Sequence, residues 1–528
     1  MSIDVVTWAP EVQMCIALLA VLWYGTGPAI VSVAEGWWMP IHYFSNEKSL
    51  YNQEETKETR VVAGPGPVTG HLSWWTVVWC LLSALLVYFS PFYSLQAGGL
   101  FVRDFFTVCL SSLLFVYAGL ALAVSVHWLK VAKVIHSEYL ILIMLAILGQ
   151  HLLLMTNDLM ALYLCLELQS FSLVVLCSLN YTSAYAVEAG MKYFLLSAFS
   201  SCLLLLGVGL IYYRTGLTRC AHLTELLGSS DSVDLALWLG LWLVSLALLW
   251  KLAAAPLHFW AADVYQGAWS SISLLISTLP KISVLGFWIH HWSSLWNNSF
   301  SNVLGLFSAM SLVIGAVLPL AQVQLKRLMA FSSVGHMGFL LMPLALGAEG
   351  ISSILVYLVL YLLSSLAVWG LLLWPYGRAN TTAAGPQYVW DLARLNLSYP
   401  AAGLAWTLSM LSLAGLPPAA GFLGKLAVFW TSLNAHMYVL VFIALVATLL
   451  SRVYYLRVLK VIYVDAPINW GYFNQLNPVR SYLIAGSSLC LAFFLWHGSP
   501  LVLASHLLSV SCSFLKNSNS LTYHLFFC

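Results

Sequence analysis

Four ionisable side chains stand inside strongly apolar runs of this 528-residue chain. Glu167 lies in LYLCLELQSF, Lys251 in LALLWKLAAAPLHFW, Lys281 in STLPKISVLGF and Lys425 in AGFLGKLAVFW. A charge at the centre of a bilayer costs about 2.5–3.5 kcal/mol on insertion scales, so each is a candidate functional residue. Lysine suits proton relay: desolvation favours its neutral form, while a nearby carboxylate favours the ammonium. Moving that partner, or a proton on a neighbouring lysine, would swing the group between holding and releasing its proton. The competing role for each is a helix-end residue whose long stem snorkels to the headgroups. That role fits Glu167 least, because a carboxylate cannot reach far.

His258 and His336 are further relay candidates, because imidazole titrates near neutral pH, although a lone histidine in an apolar helix is more often a hydrogen-bonded core residue. His290 and His291 fall at an expected helix end and read as interfacial. Glu188 and Lys192 stand four apart at a helix entrance, a favourable pairing worth only a few tenths of a kcal/mol.

The elements that position these groups follow from composition. The chain is 61% hydrophobic and 8% charged, against roughly 25% charged in a soluble domain. Apolar runs of about 20 residues recur throughout, each long enough to cross a hydrocarbon core. They fall near 11–34, 72–92, 104–126, 138–156, 158–179, 192–213, 233–260, 269–292, 303–321, 328–347, 351–375, 400–431, 436–461 and 481–505, about fourteen spans. Helices are the expected form, since the backbone must satisfy itself in lipid and the runs lack the alternation of barrel strands. The fold class is therefore an all-α polytopic membrane protein. Residues 35–70 read as a solvated loop, 376–399 as a second loop, and 506–528 as a short tail without a long amphipathic helix.

Pro256 follows Lys251 by five residues, and Gly415, Pro417 and Pro418 precede Lys425 by seven to ten. Proline removes a backbone donor and opens the helix ladder. One such break in each half points to an internally repeated transporter with its ion path at mid-membrane, against the plainer alternative of a packing kink.

A net charge of +2 with scattered basic residues excludes a nucleic-acid footprint, so no nucleic-acid partner is expected. The ten cysteines lack the close pairs of metal or cluster ligation, and there is no glycine fingerprint for a dinucleotide. The first fifteen residues contain Asp4 and Glu11 but no lysine or arginine, unlike a signal or transit peptide. Lys130, Lys133, Lys326, Arg327, Arg378, Arg394, Arg457 and Lys460 share one side on this span count, and the positive-inside bias puts that side in the matrix or cytoplasm. Arg214 and Arg219 dissent.

Taken together, NDLMALYLCLELQSF, EAGMKYFLLSAFSS, KLAAAPLHFWAADVYQGA, LPKISVLGF, QLKRLMAFSSVGHMGF and LSLAGLPPAAGFLGKLAVFW resemble the antiporter-like subunits of respiratory complex I, in the branch of its subunit 2, called N in bacteria. The similarity runs from about Glu138 to Arg457, and ELQSF is closer to the mitochondrial than to the plastid form. The resemblance implies an antiporter-like fold of fourteen helices with two inverted five-helix repeats and broken helices 7 and 12. It implies N-terminal helices in 1–137, a first repeat in 138–292, a second in 293–462, and a last helix and tail in 463–528. Glu167 would pair with Lys251, Lys281 would link the half-channels, and Lys425 would connect to the far one.

The family usually reads PDVYEGAPTP where this chain has AADVYQGAWSS with Gln266, which puts loop details outside the resemblance. The implied activity is proton translocation coupled to NADH oxidation and ubiquinone reduction by other subunits. This chain would carry no cofactor; NADH, FMN, iron–sulfur clusters and ubiquinone would belong elsewhere. The implied partners are subunits 4L, 3, 6 and 4, the lateral helix of subunit 5, and membrane lipid. The implied location is the mitochondrial inner membrane, or alternatively a bacterial cytoplasmic membrane. A free-standing Mrp-type cation/proton antiporter is the competing reading, and a pump-dead scaffold a third that the retained charges disfavour.

Overall fold

A computed structural model describes residues 7–31, 66–91, 94–132, 137–229, 234–295, 298–378, 381–466, 471–473 and 478–518. Residues 35–65 of the expected polar loop, and 519–528 of the tail, lie outside these.

The first six long helices are α1 (Ala9–Val31), α2 (Gly66–Phe89), α3 (Phe105–Val131), α4 (Glu138–Met155), α5 (Leu159–Ser178) and α6 (Ala184–Thr215). The next run is interrupted: α7 (Leu235–Lys251) stops at the candidate lysine and α8 (Phe259–Gly267) resumes after seven non-helical residues. Then come α9 (Ser270–His290), α10 (Asn298–Val317), α11 (Leu325–Leu344) and α12 (Ile351–Leu372). A second interruption separates α13 (Pro400–Ala414) from α14 (Gly421–Asn434), followed by α15 (Tyr438–Tyr463), α16 (Pro478–Trp496) and α17 (Ser499–Ser518).

Among the described residues, nine helices are long and apolar enough to cross a membrane, or ten with the bent pair α16 and α17 taken as one span. With the short apolar helices and the interrupted pairs counted, the arrangement is consistent with about fourteen spans.

The interruptions have local causes. The residue before a proline is pushed out of the helical region, which disfavours helix through Ala255–Pro256. Ala253 already takes a positive φ of 57°. In the second break Gly415, at φ +70°, caps α13 in the left-handed conformation that glycine adopts without a Cβ penalty.

Three boundaries differ from the sequence reading. Helix α6 starts at Ala184 rather than near 192, because AYAVEAG is a good helix former and the Glu188–Lys192 pair lies on its surface. The last expected span is bent by 85° between α16 and α17 at Gly498 and its neighbours. Helix continues to Ser518, so the first part of the expected tail is helical.

Helix α9 is wholly enclosed by protein and α12 nearly so, while α2, α6, α10 and α15 turn broad apolar faces outward. Between apolar helices in lipid, close packing replaces hydrophobic drive, and small residues permit it. At the α10–α11 contact a Cβ on Gly315 would stand 2.3 Å from the Gly335 backbone.

Hydrogen bonds sort the connections into two ends. At one, Leu325 N bonds Gln387 O, Arg394 N bonds Val461 O, and Arg457 reaches Leu320 O. There the expected 376–399 loop is structured: β3 (Tyr376–Arg378) pairs antiparallel with β4 (Thr381–Ala384) and β5 (Gly471–Phe473), with Tyr376 opposite Phe473. At the other end Asn157 N bonds Leu100 O, Cys220 N bonds Asn157 O, and Gln96 donates to Thr7 O. The small ribbon β1 (Ser94–Gln96) and β2 (Phe101–Arg103) sits there. Lys326, Arg327, Arg394, Arg457 and Lys460 belong to the first end; Arg214 and Arg219 belong to the second, engaged by Asp234 at 3.6 Å and by the Gly98 carbonyl at 2.7 Å.

Candidate proton-relay axis

Lys425 shows most simply how the fold holds a buried ammonium. It lies in the second turn of α14 and is buried, and its Nζ donates to the carbonyls of Leu413 at 3.0 Å and Ala414 at 2.9 Å. Those are the last carbonyls of α13, which an intact helix would have used and which carry the negative end of its dipole. The break therefore creates the acceptors that the lysine needs. Phe339 of α11 adds a ring face 5.1 Å away.

Lys281 sits in the middle of α9, where the helix-end alternative does not apply. Its Nζ donates to the Tyr361 hydroxyl of α12 at 3.0 Å and to the Ser333 carbonyl of α11 at 3.3 Å. Tyr361 donates onward to the Ser277 carbonyl at 3.1 Å. Pro280, inside α9, brings no N–H to the ladder at this turn.

His336 lies between these lysines. Its Nδ1 is 2.7 Å from the Tyr357 hydroxyl and its Nε2 is 3.1 Å from that of Tyr455. A neutral imidazole donates on one side and accepts on the other, so proton transfer through the ring exchanges those roles. A cavity of about 10 Å³ is lined by both His336 and Lys425, with Ser332, Ser451, Tyr454 and Tyr455 supplying polar walls. That is close to the room one water molecule requires.

Lys251 is the last residue of α7 and is buried, yet among the described residues its Nζ has no hydrogen-bond partner. The local carbonyls are already used. Leu248 O accepts from Leu252 N, Leu249 O from Ala254 N, and Trp250 O from both Ala253 N and the Trp260 indole at 3.1 Å. Glu167 on α5 is half-buried and forms no ion pair with Lys251 among the described residues. The two breaks thus treat their lysines differently: Lys425 is anchored on carbonyls, and Lys251 has no hydrogen-bond partner among the described residues.

His258 does not join this line. It precedes α8, stacks on Phe259 at 5.2 Å and meets Phe331 edge-on at 6.4 Å, and its Nδ1 is buried without a hydrogen-bond partner among the described residues. His290 ends α9 as expected, and its side chain is buried and pairs with Asp104 at 3.1 Å, because α9 ends against the start of α3. The Glu188–Lys192 pair is part of a larger strap. Lys192 also bonds Asp263 of α8 at 2.7 Å, and Arg327 of α11 approaches Asp263 at 3.6 Å. Lys326 donates to Ala268 O, just beyond α8, at 2.8 Å.

Sequence reasoning missed Tyr357, Tyr361, Tyr455 and Asp263. A tyrosine in an apolar helix gives no signal beyond packing. The Asp263 signal was present, as a carboxylate inside the FWAADVYQG segment after the break.

Enclosed lysines, two interrupted helices and a hydroxyl–imidazole bridge define a class: membrane carriers of protons or small cations. A family model described as NADH:quinone oxidoreductase/Mrp antiporter, transmembrane, matches residues 156–451, more than half the chain. The chain belongs to this family. It is 34% identical over 375 residues to NADH-quinone oxidoreductase subunit N of Rhodospirillum rubrum, covering 70% of this chain and 76% of that one. It is 31% identical over 453 residues to NADH-ubiquinone oxidoreductase chain 2 of Marchantia polymorpha, covering 83% and 91%. A chain of respiratory complex I from Thermus thermophilus superposes with a TM-score of 0.70 at 26% identity, covering 83% and 93%. A chain of the Mrp complex from Dietzia sp. shares the fold, with a TM-score of 0.75 at 19% identity over 98% and 99%.

Proposed function

We propose that the chain is the proton-translocating subunit 2 of the membrane arm of NADH:ubiquinone oxidoreductase. One observation carries the site assignment: Lys281 donates to Tyr361 and Ser333, the Tyr361 ring lies 5.3 Å from that of His336, and His336 and Lys425 line one cavity. In this reading Glu167 and Lys251 load the relay, Lys281 passes charge between halves, His336 conducts it, and Lys425 delivers it. The second interruption supplies carbonyls to Lys425, and the uninterrupted helices α12 and α15 supply the hydroxyls of Tyr357, Tyr361 and Tyr455, which can reorient as a proton moves.

Redox chemistry belongs to other subunits in this reading, with NADH, FMN, iron–sulfur clusters and ubiquinone bound there. The partners are subunits 4L, 3, 6 and 4 and the lateral helix of subunit 5. The relatives named NADH-ubiquinone oxidoreductase chain 2 support a mitochondrial inner membrane, with the basic end in the matrix by the positive-inside bias.

The test is a gently solubilised native membrane resolved on a native gel, stained for NADH dehydrogenase activity, with the chain located by mass spectrometry. A large NADH-oxidising band containing the chain is expected. Migration alone or with small antiporter subunits, together with sodium-dependent transport, would replace the assignment with the Mrp-type antiporter.

A further inference from the structure

An arginine stands at mid-membrane on the edge of the outward apolar face of α15. Arg452 is roughly 16–21 Å from the two ends of this helix at 1.5 Å per residue. Phe442, Leu445, Leu449, Val453 and Leu456 are exposed and recur every three or four residues, which makes one outward stripe. Arg452 falls three residues after Leu449 and four before Leu456, beside that stripe. Its side chain is half-buried, and its Nε is enclosed without a hydrogen-bond partner among the described residues. A guanidinium keeps its charge and carries five donors, so an unpaired one at this depth is costly and marks a site by default.

The helices around it offer no counter-charge. Helix α15 packs on α10, α11, α13 and α14. None of these five helices contains an aspartate or glutamate, whereas together they carry Lys326, Arg327, Lys425, Arg452, Arg457 and Lys460. The carboxylates in the adjoining connections are engaged or remote. Asp391 accepts from the N–H groups of Gln387 and Tyr388 at 3.0 Å, Asp465 lies 3.6 Å from Lys460, and Glu349 is exposed ahead of α12.

Lipid headgroups are a poor source of the missing charge. Helix α15 runs toward the basic end, where Arg394 N bonds Val461 O and Arg457 reaches Leu320 O. Side chains lean toward the N-terminus of their helix, so Arg452 leans away from the nearer headgroups. It shares its level with Ser451 and Tyr455, which line the cavity of His336 and Lys425.

We infer that this face of α15 is an interface with a neighbouring membrane subunit, and that a transmembrane helix of that subunit brings an aspartate or glutamate carboxylate to Arg452. A planar guanidinium meets a carboxylate through two parallel N–H···O bonds, which fixes the register of the two helices. The stripe of leucine, valine and phenylalanine beside it packs against the partner's apolar side chains. The inference rests on the multi-subunit reading above.

The test uses the intact complex in its native membrane. A photo-crosslinking phenylalanine analogue replaces Leu449, beside the unchanged arginine, and the adduct is identified by mass spectrometry. The expected adduct is a transmembrane segment of another subunit that contains an aspartate or glutamate. Arg452→Gln should lower the fraction of complex that stays whole in mild detergent on the order of tenfold, and Arg452→Lys should recover part of the loss. Arg452→Glu should be rescued by exchanging the partner's carboxylate for lysine. An adduct with lipid alone, with a second copy of this chain or with a segment lacking an acid would overturn the proposal, as would wild-type detergent resistance in Arg452→Gln. If Arg452→Gln does not fold, the adduct at Leu449 decides. A chain that runs outside a large NADH-oxidising band removes the subunit assignment itself; a chain inside that band that labels only lipid removes this inference alone.

Discussion

Lys281 rests on Tyr361 in two ways: its Nζ donates to the hydroxyl at 3.0 Å and lies 4.7 Å from the ring centroid. The same hydroxyl donates to the Ser277 carbonyl, so one tyrosine ties the central lysine of α9 both to α12 and back to its own helix. The hydroxyl accepts from an ammonium and can rotate when the lysine is neutral. Tyr361→Phe keeps the ring and removes that acceptor. Assembly should be preserved, and pumping-linked ubiquinone reduction should fall on the order of tenfold, measured beside NADH oxidation by ferricyanide. An unchanged pumping rate would remove Tyr361 from the relay.

His336 is held between the hydroxyls of Tyr357 and Tyr455. His336→Phe fills a similar volume but removes the imidazole partner of the buried Tyr357 hydroxyl, at about 1–3 kcal/mol. His336→Gln retains hydrogen-bonding groups without the titratable ring. The expected outcome is an assembled His336→Gln complex that oxidises NADH normally and pumps poorly, and a less stable His336→Phe complex by thermal inactivation.

Gly415 is constrained twice, by a φ of +70° and by Lys425, whose Cδ would stand 2.4 Å from an added Cβ. Gly415→Ala should therefore displace Lys425 from the carbonyls of Leu413 and Ala414. A loss of about 1–3 kcal/mol is expected from overpacking and backbone strain together. Gly305 is the control: it is helical with open space at its Cβ, so Gly305→Ala should be neutral or slightly stabilising. Thermal inactivation of the two assembled complexes measures the difference.

Asp263 gathers Lys192 and Arg327 onto α8, but all three are partly exposed. Asp263→Asn should cost under about 1 kcal/mol in stability, as exposed ion pairs do. A fall in pumping larger than the loss of assembled complex would show that the strap positions the broken helix.

Much of the axis was legible in sequence because bilayer energetics make a charge in an apolar run conspicuous. Glu167, Lys251, Lys281 and Lys425 stood out for that reason, His336 stood out because imidazole titrates near neutral pH, and proline and glycine marked both interruptions. Other features were hidden for physical reasons. The first run looked continuous to 260 because LAAAPLHFW stays apolar after the helix has ended at Lys251. His258 looked like a relay group by type, yet its ring is packed among aromatic neighbours. Tyr357, Tyr361 and Tyr455 act through partners on other helices. Arg103 and His151 reach Glu11 across 92 and 140 positions, and no local pattern announces it.

The central claim is that Lys251, buried at the end of α7 without a hydrogen-bond partner among the described residues, carries a proton during turnover. The direct measurement is Lys251→Ala in the assembled complex reconstituted in vesicles, with proton pumping, ubiquinone reduction and ferricyanide-linked NADH oxidation recorded together. The account predicts that pumping and ubiquinone reduction fall together on the order of tenfold or more while ferricyanide reduction is unchanged. Pumping at the wild-type rate in the assembled variant would contradict it.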